Sequence, residues 1–331
     1  MSVTPAPALA GILPVVSSGT RPSLGQRPTR RLLPALHGVT ADPVWLVRSD
    51  HAPGYESDGH ELVTYDLAEA EAYAAAHWMG PDPFEPGAFL GVFCGREWAC
   101  RLAEARGCWA VLHLDDNIRR LDCFAGTGPS GEVVTRRGGL ALHIDILAAV
   151  TLATNAVMTG AKLQSVNPAR EAHVFARAGF PYSLFVERTD LPEREPWYGP
   201  IEDDIMHAYQ IGVNARPDTA CLVQPITYMK DHGRQDSGMR PHYDQRRSVA
   251  LQRLAPEMAR LSVHKTHSNG RGGPRVFHSM LPGSIRTPLA VTDELLWAQV
   301  RGLVQELALE VAAAIRSAVP VRLAQRASGA G

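Results

Sequence analysis

The chain has little from which to build a disulfide framework or a zinc site. Its five cysteines (Cys94, Cys100, Cys108, Cys123 and Cys221) are an odd set without a Cys-x-x-Cys pair. Their mostly apolar neighbours suit reduced core thiols in a reducing compartment. No run is long and apolar enough to cross a bilayer, and Met1 to Pro14 has neither a basic flank nor a small-residue cleavage pattern, so a cytoplasmic protein with no membrane partner is expected. Neither sign of charge dominates: 33 Lys and Arg face 34 Asp and Glu, so no global field draws the chain to nucleic acid or an anionic lipid surface. The patterns GxxxxGKS, GxSxG and HExxH are missing, which argues against a P-loop enzyme, a serine hydrolase and a zincin, and a nicotinamide dehydrogenase is not expected either.

What is present is a globular composition, 45% hydrophobic and 20% charged over 331 residues, enough for one large domain or two modest ones. Short apolar runs at Ile12 to Val16, Val44 to Val47, Ala88 to Phe93 and Trp109 to Leu114 read as strands. Ala68 to Met79 and Glu97 to Ala105 read as helices, the second closed by Gly107. This alternation predicts an α/β fold with a mostly parallel central sheet and helices on both faces. Further on, Ile144 to Met158 reads as a helix, and so does a segment capped by Asn167 with Pro168 at its first position. Tyr182 to Val186 and Ala220 to Met229 read as strands, Pro200 to Tyr209 as a helix. Thr292 is expected to cap a C-terminal amphipathic helix carrying Leu296, Val300, Leu303, Leu307, Val311 and Ile315.

Three polar clusters stand out. Asp115, Asp116 and Asn117 end a strand, where adjacent carboxylates repel unless a cation or donor-rich ligand compensates. Mg²⁺ or Mn²⁺ carrying a diphosphate is such a compensator, although a turn-capping Asp beside a solvated one explains the pair as well. Glu202, Asp203 and Asp204 open a helix, where the dipole favours acids without any function. Beside a metal-diphosphate site, one of them can serve as a general base. The third cluster is basic: Arg21, Arg96, Arg101, Lys162, Lys230, Lys265, Arg271 and Arg275, with His264, His267 and His278 nearby in the chain. Each is a phosphate or metal ligand on one reading and a solvated surface group on the other.

The order Ser17-Ser18-Gly19-Thr20-Arg21-Pro22, then Val-Leu-His-Leu-Asp115-Asp116-Asn117, then Gly-Pro-Ile-Glu202-Asp203-Asp204, then Tyr228, Lys230, Gly238 and Tyr243 resembles GT-A glycosyltransferases. Within that class it looks most like the TET/JBP-associated group, which is linked to sugar addition on modified DNA bases and on protein. The resemblance spans roughly residues 12 to 280. It implies one GT-A-like domain over 1–285, with a nucleotide-binding half at about 11–125 and an acceptor half at about 140–285, followed by a helix and tail over 286–331.

The resemblance further implies a nucleotide-sugar donor, a UDP-sugar first, held by Ser17, Ser18, Arg21, Arg96, Asp115 and Lys230. It assigns metal-ligand roles to Asp116 and Asn117, with His264 as an extra candidate, and makes Asp203 the base, with Glu202 and Asp204 as alternatives. Asn117 stands where the family places an Asp, a neutral and weaker ligand for a hard cation. Either Asp116 substitutes for it or basic loops neutralise the diphosphate without a metal. The acceptor is a modified nucleic-acid base, a peptide or protein, or a small natural product. Two rivals share the frame: a nucleotidyltransferase that makes a nucleotide-sugar, and a non-catalytic nucleotide-sugar-binding scaffold.

Overall fold

A computed structural model describes residues 2–19, 27–55, 59–127, 133–163, 175–213, 217–231, 251–253, 255–264, 275–281, 283–307, 309–310 and 313, with backbone alone at 124–127, 133–137, 261–264 and 275–279. The expected alternation begins as read. Strand β1 (Ile12–Ser18) is followed by β2 (Val44–Arg48), β3 (Glu61–Tyr65), helix α2 (Leu67–His77), helix α3 (Phe93–Ala105) and β4 (Ala110–Asp115), after a short opening helix α1 (Ala6–Ala10). Asp66 caps α2 by accepting from the amides of Ala68 and Glu69, which satisfies two of the helix's free N–H groups.

Beyond β4 lie β5 (Ile118–Thr127), β6 (Val133–Arg137), α4 (Leu140–Ala153), β7 (Ala156–Leu163), β8 (Ala176–Ala178), β9 (Leu184–Arg188), α5 (Asp203–Val213) and β10 (Thr219–Lys230), then a separate hairpin of β11 (Ala259–His264) and β12 (Arg275–Met280). The ten-stranded sheet runs β3-β2-β1-β4-β9-β7-β10-β5-β6, with β8 also on β10. Strands β3, β2, β1, β4, β7, β10 and β6 point one way, and β9, β5 and β8 the other. Thus the mostly parallel sheet is interrupted by β9, which sits antiparallel between β4 and β7.

Helices cover both faces, as expected. One core layer joins Phe93, Ala99 and Ala103 of α3, Ala70 and Ala74 of α2 and Ala208 and Ile211 of α5 to Leu13, Val15, Val44 and Val111 of the sheet. The other joins Ile144, Leu147 and Val150 of α4 with Leu33 and Leu36, and with Val300 and Val304 of the C-terminal helix, to Ile12, Val16, Leu112 and Leu114. Alternate side chains of a strand face opposite layers, so β1 and β4 feed both.

Several boundaries differ from the sequence reading. Ala88 to Phe93 is no strand: Gly91 takes φ 67° and Phe93 opens α3. The third strand is Glu61–Tyr65, which alternates too weakly to stand out. The helix expected to reach Met158 stops at Ala153, because Thr154 turns extended and Ala156 begins β7. The Pro200 helix begins at Asp203, and the C-terminal helix, 294–307, is capped by Asp293, whose carboxylate accepts from Leu296 N–H, rather than by Thr292. The helix expected at Asn167 and Pro168 lies outside the described residues. All five cysteines are free thiols, four of them buried.

Although no nicotinamide dehydrogenase is expected, the sequence does contain one GxGxxG, Gly126 to Gly131. It leaves β5, which pairs antiparallel with β6. A dinucleotide loop must instead join a strand to a helix.

Candidate active site

Parallel pairing places Ser17 of β1 opposite Asp115 of β4, so the ends of both strands reach one carboxyl edge of the sheet, the usual ligand edge in α/β folds. Two further segments arrive at the same edge. The amide of Asp115 donates to Ser183 O at the start of β9, where Ser183 holds a left-handed φ of 56°, and the last residue of β10, Lys230, pairs with Ile118 just past the motif. Lys230 Nζ donates to Asp115 Oδ2 at 2.5 Å and to Ser183 Oγ at 2.6 Å.

The helix-start acids come from the other side of the same site. Gly199 and Gly91 allow it. A Cβ on Gly199 would meet Phe93 at 2.2 Å, and one on Gly91 would meet Pro200 O at 2.5 Å. The 199–202 turn therefore lies directly on the start of α3, and α5 opens over Arg96. Arg96 is 4% exposed, and its guanidinium lies 5.2 Å from the Phe185 ring centre and 5.0 Å from that of Trp197. Its Nε is 3.1 Å from Asp203 Oδ2, and its Nη2 is 3.8 Å from Asp204 Oδ2 and 3.7 Å from Asp115 Oδ1. One buried cation thus ties the strand-end acid to the helix-start acids. Its Nη1, and Asp203 Oδ2 despite the close approach, lack hydrogen bonds: the attraction is Coulombic, without hydrogen-bond angles.

The charges are unevenly shared. Burial pushes Asp115 up, but Lys230 and Arg96 outweigh it and hold the carboxyl at about 2. Burial raises Asp203 against the pull of Arg96. For Asp204 burial again dominates, and with Asp203 and Glu202 adding repulsion the group rises to about 7. The ion pair of Asp203 and its raised pKa point in opposite directions; burial decides, because a single guanidinium already serves three carboxylates. The pair therefore retains a proton near neutrality.

Of the sequence candidates, the structure brings Arg96, Asp115, Lys230, Asp203 and Asp204 together. Glu202 precedes them in the same turn, at φ 55° and 6% exposed. Asp116 turns the other way: it accepts from Ser18 Oγ at 3.1 Å and lies 3.9 Å from Arg27 Nε, facing the first loop. Asn117 donates to Asp231 O while its Oδ1 is buried without a hydrogen bond. Ser17 and Ser18, with Arg48, His51 and Tyr65, line a recess over the ends of β1 and β2.

Arg21, Lys265, His267 and Arg271, with Gly238 and Tyr243, lie outside the described residues, as do the side chains of His264, Arg275 and His278. Ser183 and Trp197 were missed because neither carries a chemical signature; only their spatial neighbours give them a role.

Beneath this edge lies a second polar group. Glu187 of β9 is 1% exposed; its Oε2 lies 3.0 Å from His113 Nε2 and its Oε1 2.9 Å from His207 Nε2. Burial favours the neutral acid, but His207 and His113 hold the carboxyl well below its ordinary value.

No family model and no curated protein matches this chain. Among solved structures it is similar to glucosyl-3-phosphoglycerate synthase from Mycobacterium tuberculosis in complex with Mn²⁺, UDP and phosphoglyceric acid, at 12% identity and a TM-score of 0.46, covering 84% of this chain and 89% of that one. The same enzyme with Mg²⁺ and UDP gives 12%, 0.45, 84% and 90%. Mannosyl-3-phosphoglycerate synthase from Rubrobacter xylanophilus gives 11%, 0.42, 87% and 88%. At these identities and TM-scores the likeness assigns neither a reaction nor a residue's role to this chain, and both are argued from the site itself.

Proposed function

We propose that the chain is a glycosyltransferase that moves a sugar from a nucleotide-diphosphate donor, a UDP-sugar first, to an acceptor hydroxyl with inversion. The observation that carries this reading is the convergence of Asp115, Asp203 and Asp204 on Arg96 at the carboxyl edge of the sheet. The recess beside Ser17 and Ser18 is the place for the donor's nucleoside, and Lys230, held on the Asp115 carboxylate, serves the diphosphate. That arrangement is what the GT-A resemblance implies for these positions.

The residues fit a hard divalent cation. Asp115, Asp116 and Asn117 offer only oxygen, and Asn117 Oδ1 is a buried acceptor without a hydrogen bond. Asp115, Glu202, Asp203 and Asp204 together outnumber Arg96 and Lys230, so the site carries excess negative charge. Asn117 would hold Mg²⁺ or Mn²⁺, joined by Asp116 once its carboxylate leaves Ser18 and Arg27, and the ion when bound would neutralise charge on the departing diphosphate.

Asp204 is the better base. Asp203 is committed to Arg96 and 3% exposed, whereas the Asp204 carboxyl is 15% exposed and titrates at about 7, near the optimum for proton transfer at neutral pH. In the reaction Asp204 accepts the acceptor's hydroxyl proton, the hydroxyl oxygen bonds to the anomeric carbon, and the bond from that carbon to the diphosphate oxygen breaks. Arg96 fixes the two acids relative to Asp115.

A panel of UDP-, GDP- and TDP-sugars with Mg²⁺ or Mn²⁺ tests the reading by mass spectrometry and calorimetry. Failure to bind or hydrolyse any of them rejects it. Asp204→Asn is expected to abolish transfer while leaving donor affinity within about threefold; retained turnover moves the base to Asp203 or Glu202. Offering a modified nucleic-acid base, a peptide and small hydroxylated natural products in the same assay decides the acceptor class.

A further inference from the structure

The sequence alone gave no reason to expect a zinc site, yet Cys100 of α3, His113 of β4 and Glu187 of β9 bring three different donor atoms together in the interior. Cys100 Sγ is 3.7 Å from His113 Nε2 and 3.5 Å from Glu187 Oε2, and those two atoms are 3.0 Å apart. All three side chains are buried. With zinc at its usual distances from sulfur, nitrogen and oxygen, a tetrahedral ion separates S from N and S from O by about 3.5 Å, and N from O by about 3.3 Å. The observed triangle matches to within a few tenths of an ångström.

We propose that Cys100, His113 and Glu187 form a three-ligand site for a single Zn²⁺ ion, separate from the acidic edge above it. The donor set is the first argument. A thiolate, an imidazole and one carboxylate oxygen select a borderline-soft ion over Mg²⁺ or Ca²⁺.

Charge is the second argument. His113 and His207 already flank the Glu187 carboxylate, and Zn²⁺ with one thiolate and one carboxylate is neutral, so the ion adds no net charge to the dry interior. On binding, the Cys100 thiol proton leaves to solvent and the His113 proton shifts to Nδ1, so one proton is released per ion. The surroundings complete the site. His207 Nε2 lies 2.9 Å from the other Glu187 oxygen, the kind of outer partner that orients a ligating carboxylate. The His113 ring is set by packing on Phe185 at 4.7 Å rather than by a bond at Nδ1.

Access is present. A cavity of about 20 Å³ lined by Glu187, His207, Arg194, Leu191 and Val157 reaches the carboxylate, room for roughly one water beside it. The ion would join α3, β4 and β9, with α5 held through His207. These are the elements that carry or adjoin Arg96, Asp115, Ser183 and Asp203.

Elemental analysis of the full chain, purified without chelator, is expected to find about one zinc per chain. Refolding with Co²⁺ in place of zinc is expected to give a thiolate-to-cobalt charge-transfer band that Cys94→Ser keeps and Cys100→Ser loses. If Cys100→Ser does not fold, X-ray absorption of the wild-type zinc protein decides: one sulfur at about 2.3 Å supports the site, and a shell without sulfur overturns it. Absence of both zinc and the cobalt band in the wild type overturns it too, as does a band that survives in folded Cys100→Ser.

Discussion

Replacing Arg96 by Met keeps the aliphatic stem against Phe185 and Trp197 but removes the one cation shared by Asp115, Asp203 and Asp204. At an effective dielectric of about 20, each pair at 3.1 to 3.8 Å is attracted by roughly 4 to 5 kcal/mol. Most of that offsets the desolvation of the guanidinium, and losing one partner of a buried pair costs about 3–5 kcal/mol in practice. Proton uptake sets a ceiling. A stranded Asp203 can escape by protonating, which from an ordinary value of about 3.9 costs roughly 4 kcal/mol at pH 7 but only about 1.5 kcal/mol at pH 5. Asp115 keeps Lys230, and Asp204 already titrates at about 7, so Asp203 sets the loss. Arg96→Met is therefore expected to lose about 3–4 kcal/mol at pH 7 and less than about 2 kcal/mol at pH 5. Urea unfolding followed by far-ultraviolet circular dichroism across pH 5 to 8 measures this. A loss below about 1 kcal/mol, or one that does not shrink with falling pH, refutes the account of Arg96 as counter-ion.

Three further outcomes follow from the same geometry. Because the folded-state value of Asp204 is raised to about 7, the native state binds that proton more tightly than the unfolded chain; the resulting stability is full below about pH 4 and lost as pH rises through 7. Asp204→Asn should thus be the more stable protein at pH 8, by up to about 4 kcal/mol, while wild-type kcat/KM climbs through pH 7; a flat wild-type profile counts against Asp204 as base. Gly91→Ala forces a Cβ onto Pro200 O in a left-handed backbone and should cost about 1–3 kcal/mol in thermal or urea unfolding; an unchanged midpoint contradicts the tight packing of the 199–202 turn. Lys230→Met frees Asp115 of its nearest cation and should weaken UDP-sugar affinity about tenfold or more by calorimetry, with an unaltered Kd excluding Lys230 from the donor site.

The parts legible in the sequence were those with strong local periodicity or a strand-ending polar motif. Ile12–Ser18, Val44–Arg48 and Ala110–Asp115 are mainly apolar up to their polar last residues because both faces of these strands are covered, and such runs are hard to mistake. Ala88 to Phe93 misled because the same apolarity there serves packing against α3 rather than a sheet, and the break at Gly91 depends on a positive φ that the letters do not reveal. Met158 was drawn into a helix because α4 and β7 are both nearly wholly buried. With no polar face to break the pattern, only the Thr154 turn separates them. β5 was missed because its first residues, Ile118 to Asp122, mix arginine and aspartate with apolar positions.

The site was half legible, and the missing half explains why. The letters Asp115-Asp116-Asn117 and Glu202-Asp203-Asp204 mark two acidic segments, which the sequence explains separately, the first by a divalent cation or basic loops and the second by a helix dipole or a general base. The cation they share in the fold is Arg96, expected as a donor-binding group and placed in the first turn of α3, buried under the sheet edge. A helix face that presents arginine to three carboxylates is specified by α3 packing on β1 and β4 and by the turn lying on Phe93; these are tertiary facts with no local pattern. The same logic separates two polar neighbours. Two residues apart on β4, His113 and Asp115 share one face of the strand, but Asp115 lies at the open end beside Lys230 whereas His113 lies below Trp197, against Glu187. Strand periodicity alone makes them equivalent. What separates them is depth: the proposed transfer uses the end that a ligand can reach, and the Cys100, His113 and Glu187 cluster lies in the buried frame beneath it.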